Sequence, residues 1–209
     1  MAITYSQYQN IATQLKVDTA SVLAISKVES KGDGFLADGR PKILFEGHIF
    51  WKQLIAVGKN PKDFERGNEN ILYPHFDRTK YLGGVKEYDR QERAAKIDQK
   101  AALLSASYGA FQIMGFNYAQ CGFTSIEAFV ASMKDEALQL LAFAQFIKKN
   151  GLLKDLQEKN WSNFARKYNG NAYKENKYDT KLQEQYDNFS KIQKKADEEM
   201  MRDSNQRMA

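Results

Sequence analysis

Proline occurs only three times in this 209-residue chain, at Pro41, Pro61 and Pro74, and the rest of the chain is free of the residue that most effectively breaks a helix. Long helices are therefore permitted, and the apolar spacing supports them. Thr4 can cap a first helix running through Leu15. Asp18 or Thr19 can cap a second, in which Val22, Leu23, Ile25 and Val28 form an apolar face and which should stop near Ser30. Residues 31–41 hold three glycines and a proline and read as tight turns, and Lys42–Glu46 reads as a short strand of a small sheet. Residues His48 to Val57 carry Ile49, Phe50, Leu54 and Ile55 at helical spacing and end at Gly58. The stretch from Lys59 to Gly84 is polar, aromatic and rich in turn residues, the kind of long loop that shapes a binding cleft.

From Tyr88 onward helix dominates. Ala94, Ile97, Ala101 and Leu104 keep helical spacing, as do Ala137, Leu140, Leu141, Ala144 and Ile147, and later Leu182, Tyr186, Phe189 and Ile192. Residues 197–209 are polar and read as a fraying tail. The expected fold class is mainly α (α+β), a helical lobe with a small β-sheet near residues 42–46.

An apolar content of 43% and an aromatic content of 12% are those of a folded domain with a substantial core. The single Cys121 can form no internal disulfide, and the N-terminus shows neither a basic leader nor an apolar run. No segment approaches the roughly 18 apolar residues of a membrane span. A net charge of +5 favours encounter with a polyanion, whether nucleic acid, anionic lipid or an anionic cell wall. The basic residues are interspersed with acids, as in Lys174-Glu175-Asn176-Lys177-Tyr178-Asp179, which reads as a solvated helix face. His48 and His75 lie far apart in sequence and show no zinc-binding spacing. Cys121-Gly122-Phe123 has no recognised nucleophile context, although a cysteine peptidase built on it is conceivable.

Glycosidic-bond cleavage needs a carboxylic acid to protonate the leaving oxygen, commonly with a second carboxylate as base or nucleophile. Glu29 ends an apolar helix, where partial burial and the negative helix end would both favour its protonated form. Glu46 follows the apolar strand Ile43-Leu44-Phe45, with the glycine-rich turn between the two acids. Spacing alone is weak evidence in a chain with 26 acidic residues.

Three motifs in order add to it: Val28-Glu29-Ser30, Ser107-Tyr108-Gly109-Ala110-Phe111-Gln112-Ile113-Met114-Gly115, and Tyr168-Asn169-Gly170. They resemble the signature of the lysozyme superfamily around goose-type lysozymes and lytic transglycosylases. From about Val17 to Tyr186 the chain more closely resembles the N-acetylmuramidase family of phage endolysins, through the run from Gly34 to His48 joined to Ser107 through Phe116. The resemblance implies a lysozyme-like fold and a peptidoglycan hydrolase cutting the β-1,4 bond between N-acetylmuramic acid and N-acetylglucosamine. The alternatives are a lytic transglycosylase forming 1,6-anhydro products, or a non-enzymatic wall- or nucleic-acid-binding module.

By the same resemblance Glu29 is the acid and Glu46 is its partner, as catalytic base or structural anchor. Tyr108, Gln112, Tyr168, Asn169 and His48 are the candidate substrate-binding residues: aromatic faces pack on sugar rings, and amides both donate and accept hydrogen bonds. We expect one catalytic domain over residues 1–209, with a cleft-forming region at about 30–85, a helical lobe from 1–29 and 86–198, and a tail at 199–209. No metal or other cofactor is implied. The expected partner is the glycan strand, bound by a monomer, with no nucleic acid and no stable membrane insertion. The protein would accumulate in the host bacterial cytoplasm without a signal peptide, reaching the wall in the periplasm once the inner membrane is permeabilised.

Overall fold

Thr4 opens the first helix through a reciprocal cap: its hydroxyl accepts from the Gln7 amide at 3.3 Å, and the Gln7 side chain accepts from the Thr4 amide at 2.8 Å. The computed structural model describes residues 3–29 and 34–208 of the chain, so the turn expected at Lys31–Asp33 and the helix stop at Ser30 lie outside the described residues. Two compact units share the chain. One comprises Ile3–Lys31 with Asn150–Ala209, the other Gly32–Lys149 with Met1–Ala2.

The first of these units is helical. Helix α1 spans Tyr5–Leu15, α2 Thr19–Glu29, α8 Leu153–Gln157, α9 Trp161–Asn169 and α10 Tyr178–Met208. Asp18 caps α2, accepting from the backbone amide and the hydroxyl of Ser21 at 2.8 and 2.7 Å. Ala20, Ser21, Val22, Ala24, Ile25, Ser26 and Glu29 of α2 are all buried, so this helix is covered on nearly every side rather than along one stripe. Small side chains make that possible, because α1 and α10 can both approach it. Helix α10 continues through residues 197–208, where the composition reads as a fraying tail. That segment contains no proline or glycine and is rich in Glu, Gln, Arg and Met, all good helix formers.

The other unit carries the sheet. Strand β1 (Ile43–Phe45) pairs antiparallel with β2 (Ala106–Tyr108), and β2 pairs antiparallel with β3 (Ile113–Met114). Around it lie α3 (Gly47–Ala56), α4 (Lys86–Ala95), α5 (Gln99–Leu104), α6 (Ile126–Ser132) and α7 (Glu136–Lys149). Phe45, Phe50, Leu54, Ile71, Leu72 and Phe129 form the heart of its core. The loop over residues 59–84 contains only two short 3-10 turns, Pro61–Phe64 and Arg78–Lys80.

Two expectations for this unit need correction. The stripe Ala94–Ile97–Ala101–Leu104 is divided between two helices, because Asp98 adopts an extended conformation and caps α5 by accepting from the Ala101 amide at 2.9 Å. Residues 106–114, inside the region read as helical, form a β-hairpin. Its turn needs two left-handed residues, Gly109 at φ +71° and Gln112 at φ +47°, which no helix interior accommodates. Gly115 closes the hairpin where a Cβ would run into the Leu103 carbonyl.

Candidate active site

Glu46 sits at the junction of β1 and α3. Its amide donates to the Ser105 carbonyl at 2.9 Å, and its own carbonyl accepts the first helical amides, Ile49 and Phe50, each at 2.9 Å. The carboxylate makes no cap bond of its own. Instead Oε2 accepts a 2.6 Å hydrogen bond from the Tyr81 hydroxyl, with only 14% of the side chain exposed. Burial first, and the adjacent carboxylate second, raise the Tyr81 hydroxyl far above its ordinary value, so it stays protonated and donates.

His48, one residue into α3, holds Nδ1 3.3 Å from Glu46 Oε2, close but not aligned for a hydrogen bond. Its ring meets Phe76 edge-on at 5.4 Å and Tyr73 at 6.4 Å. Burial lowers the imidazole pKa, against the opposing pull of Glu46, so His48 is neutral at neutral pH. Gly47 lies so close to Tyr73 and the Ile71 carbonyl that any Cβ would collide with them, and its amide donates to the Tyr73 hydroxyl at 3.3 Å.

Behind this group lies a buried ion pair that the sequence does not advertise. Glu87 Oε2 accepts from Arg90 Nη1 at 2.6 Å, and both side chains are buried. Most of their remaining hydrogen bonds go to the main chain, apart from one from Arg90 Nη2 to the Tyr73 hydroxyl at 3.4 Å. Glu87 accepts from the amides of Phe45 (3.1 Å), Leu82 (2.7 Å) and Gly83 (2.9 Å). Arg90 donates to the carbonyls of Phe45 (2.8 Å) and Asn70 (3.0 and 2.7 Å). Both polar faces of Phe45, the residue before Glu46, are thereby fixed, together with the loop segment that follows Tyr81. Breaking a buried pair of this kind is costly because the surviving charge stays in a low-dielectric site.

The two candidate sugar contacts of the hairpin, Tyr108 and Gln112, both make hydrogen bonds within this unit, Tyr108 buried and Gln112 exposed. Tyr108 is 2% exposed; its hydroxyl accepts from Gln91 Nε2 at 2.6 Å and donates to the Leu103 carbonyl at 2.9 Å, and its ring packs edge-on to Phe129. A ring so covered offers no face to a sugar, which corrects the expectation for Tyr108. The Gln112 amide accepts from the Ser107 hydroxyl at 2.8 Å and donates to the carbonyls of Gly109 (2.8 Å) and Lys42 (3.4 Å), which holds the left-handed turn in place.

Glu29, in the helical unit, is the last residue of α2 and only 8% exposed. Asn169, the last residue of α9, donates from Nδ2 to Glu29 Oε1 at 3.1 Å. Gly170 then leaves the helix at φ +76°. The Tyr-Asn-Gly segment thus brings its amide to the acid. Tyr168 is partly exposed, with its ring 6.0 Å from that of Phe164. Glu29 and Asn169 were both legible as motif residues. Tyr81, Glu87 and Arg90 were not, because nothing in a polar loop or a charged helix marks which members turn inward.

The other candidate chemistries have less to work with. Cys121 is buried, and burial pushes its thiol up to about 12, so it is no thiolate at neutral pH. His75 stays in the loop, with no His/Cys/Asp/Glu cluster fit for a metal among the described residues. No described helix is long and apolar enough to cross a membrane.

Comparison with known proteins fits this geometry. A family model described as N-acetylmuramidase matches residues 18–190. Among solved structures, the crystal structure of the Burkholderia AP3 phage endolysin is 42% identical, with a TM-score of 0.85, over 90% of this chain and 72% of that one. No curated protein matches.

Proposed function

From the chain's membership of the N-acetylmuramidase family, we propose that Glu29 is the acid through which it hydrolyses peptidoglycan. The enzyme is a glycoside hydrolase, and its bond is the β-1,4 link after N-acetylmuramic acid. Glu29 gives its proton to the leaving oxygen as the C1–O bond breaks, and water adds to C1 and gives up its proton to solvent; Glu46 is the proposed second catalytic carboxylate. Asn169 orients the Glu29 carboxyl, Tyr81 and neutral His48 surround Glu46, and Tyr168, Asn169 and His48 contact the glycan. Tyr108 and Gln112 serve by holding the hairpin.

The observation that carries this reading is the nearly buried Glu29 receiving the amide of the Tyr-Asn-Gly segment. We further infer that the enzyme works as a monomer without nucleic acid. It would accumulate in the host cytoplasm and act on the wall once the inner membrane opens, which suits a single buried cysteine that asks for no oxidising compartment.

Glu29→Gln tests the assignment. The variant is expected to bind purified sacculi while kcat falls by about 10²–10⁴, the usual contribution of a general acid. Mass spectrometry of wild-type products should show hydrolysed reducing ends rather than 1,6-anhydro ends. A variant that retains wild-type turnover would exclude Glu29 as the acid.

A further inference from the structure

The helical unit carries a groove of about 330 Å³, lined by Lys27 and Val28 near the end of α2, by Asn176 before α10, and by Tyr178, Lys181 and Gln185 in the first turns of α10. The charged side chains among its described lining residues are both lysines, and neither is ion-paired to a described residue. Lys181 Nζ lies 5.7 Å from the centroid of the Tyr178 ring, which draws the ammonium toward the groove wall. We propose that this groove receives a carboxylate of the peptide stem that peptidoglycan carries on N-acetylmuramic acid. The proposal rests on the muramidase reading above and names a second part of the same substrate.

The chemistry follows from where the stem is attached. An acid that protonates the bond after N-acetylmuramic acid stands beside that sugar, and the stem leaves the sugar through its lactyl branch. Val28 precedes Glu29 directly in the chain. A stem of two or three residues in extended form spans about 7–10 Å, enough to bring its first free carboxylate to a groove that begins at Val28. Lysine suits such a target: a hydrated point charge on a flexible stalk tolerates a carboxylate whose position varies with the stem. The Gln185 amide can bond a peptide group of the stem, and Val28 with the Tyr178 ring gives its methyl groups an apolar wall.

Two substrates separate this site from the cleavage site: intact sacculi, and the same glycan strands after an amidase has removed the stems. For the double variant Lys27→Gln/Lys181→Gln, KM on stem-bearing sacculi is expected to rise about tenfold, from two lost charge contacts, with kcat retained. On stem-free strands both constants should match wild type, which also shows that folding is intact. The rise of KM with salt should be steep for wild type on sacculi and shallow for the variant. Equal losses on both substrates, or no change on either, would overturn the stem site while leaving the muramidase reading intact. A wild-type enzyme inert on both would overturn that reading and the stem site with it.

Discussion

Tyr81 shows how one hydroxyl can govern a carboxylate. Its 2.6 Å hydrogen bond to Glu46 is charge-assisted and mostly shielded from water, so removing it should cost about 1.5–3 kcal/mol of interaction at that oxygen. Tyr81→Phe keeps the ring against Phe76 and so keeps the packing. The expected result is a roughly 10–100-fold loss of kcat on sacculi, with the thermal midpoint lowered by several degrees but the fold retained. An unchanged kcat would remove Glu46 from the chemistry. At this scale the sequence was informative where a motif residue turns its polar group to the proposed acid, as Asn169 does to Glu29. It was misleading where the same kind of motif holds up the backbone. Tyr108 is such a case: its ring and hydroxyl are buried in the hairpin's own packing, and that need cannot be told from sugar binding in a string of letters.

Among the elements, α4 has a composition at odds with its position. Its first eight residues, Lys86-Glu87-Tyr88-Asp89-Arg90-Gln91-Glu92-Arg93, resemble a solvated face, yet Glu87, Arg90 and Gln91 are buried. Which turn faces inward is decided by the unpaired backbone groups of Phe45, Asn70, Leu82 and Gly83, and these come together only in the folded chain. Glu87→Ala strands the Arg90 charge and should cost about 3–5 kcal/mol in urea unfolding. Glu87→Gln, which keeps the shape and one accepting oxygen, should cost distinctly less; equal costs would show that shape rather than charge matters there. Helices α1, α2 and α3 could be read from caps and apolar spacing because each runs ten residues or more. Strands β2 and β3 could not: at three and two residues they show no alternation, and unlike β1 they lack a glycine- and proline-rich turn before them to mark a break from helix.

For the molecule as a whole, the titrating groups point to a fold that weakens in acid. The His48 imidazole is lowered from its ordinary 6.5 by burial, so below that pH the unfolded chain takes up a proton the folded chain refuses, and stability falls. Asp98 is held below its ordinary 3.8, chiefly by the Ala101 amide, so its contribution is present above that value and lost as the folded carboxylate protonates. Melting temperature should therefore decline in two stages on acidification, and His48→Gln should abolish the first; a variant with an unchanged first stage would assign that stage to another group. The Glu87–Arg90 pair also bears on how such an enzyme can evolve. It grips the loop through the main chain at Leu82 and Gly83, leaving the 52% exposed Leu82 side chain outside the grip. Position 82 can then be diversified, by natural drift or in a mutant library, without loosening the scaffold beneath the carboxylate.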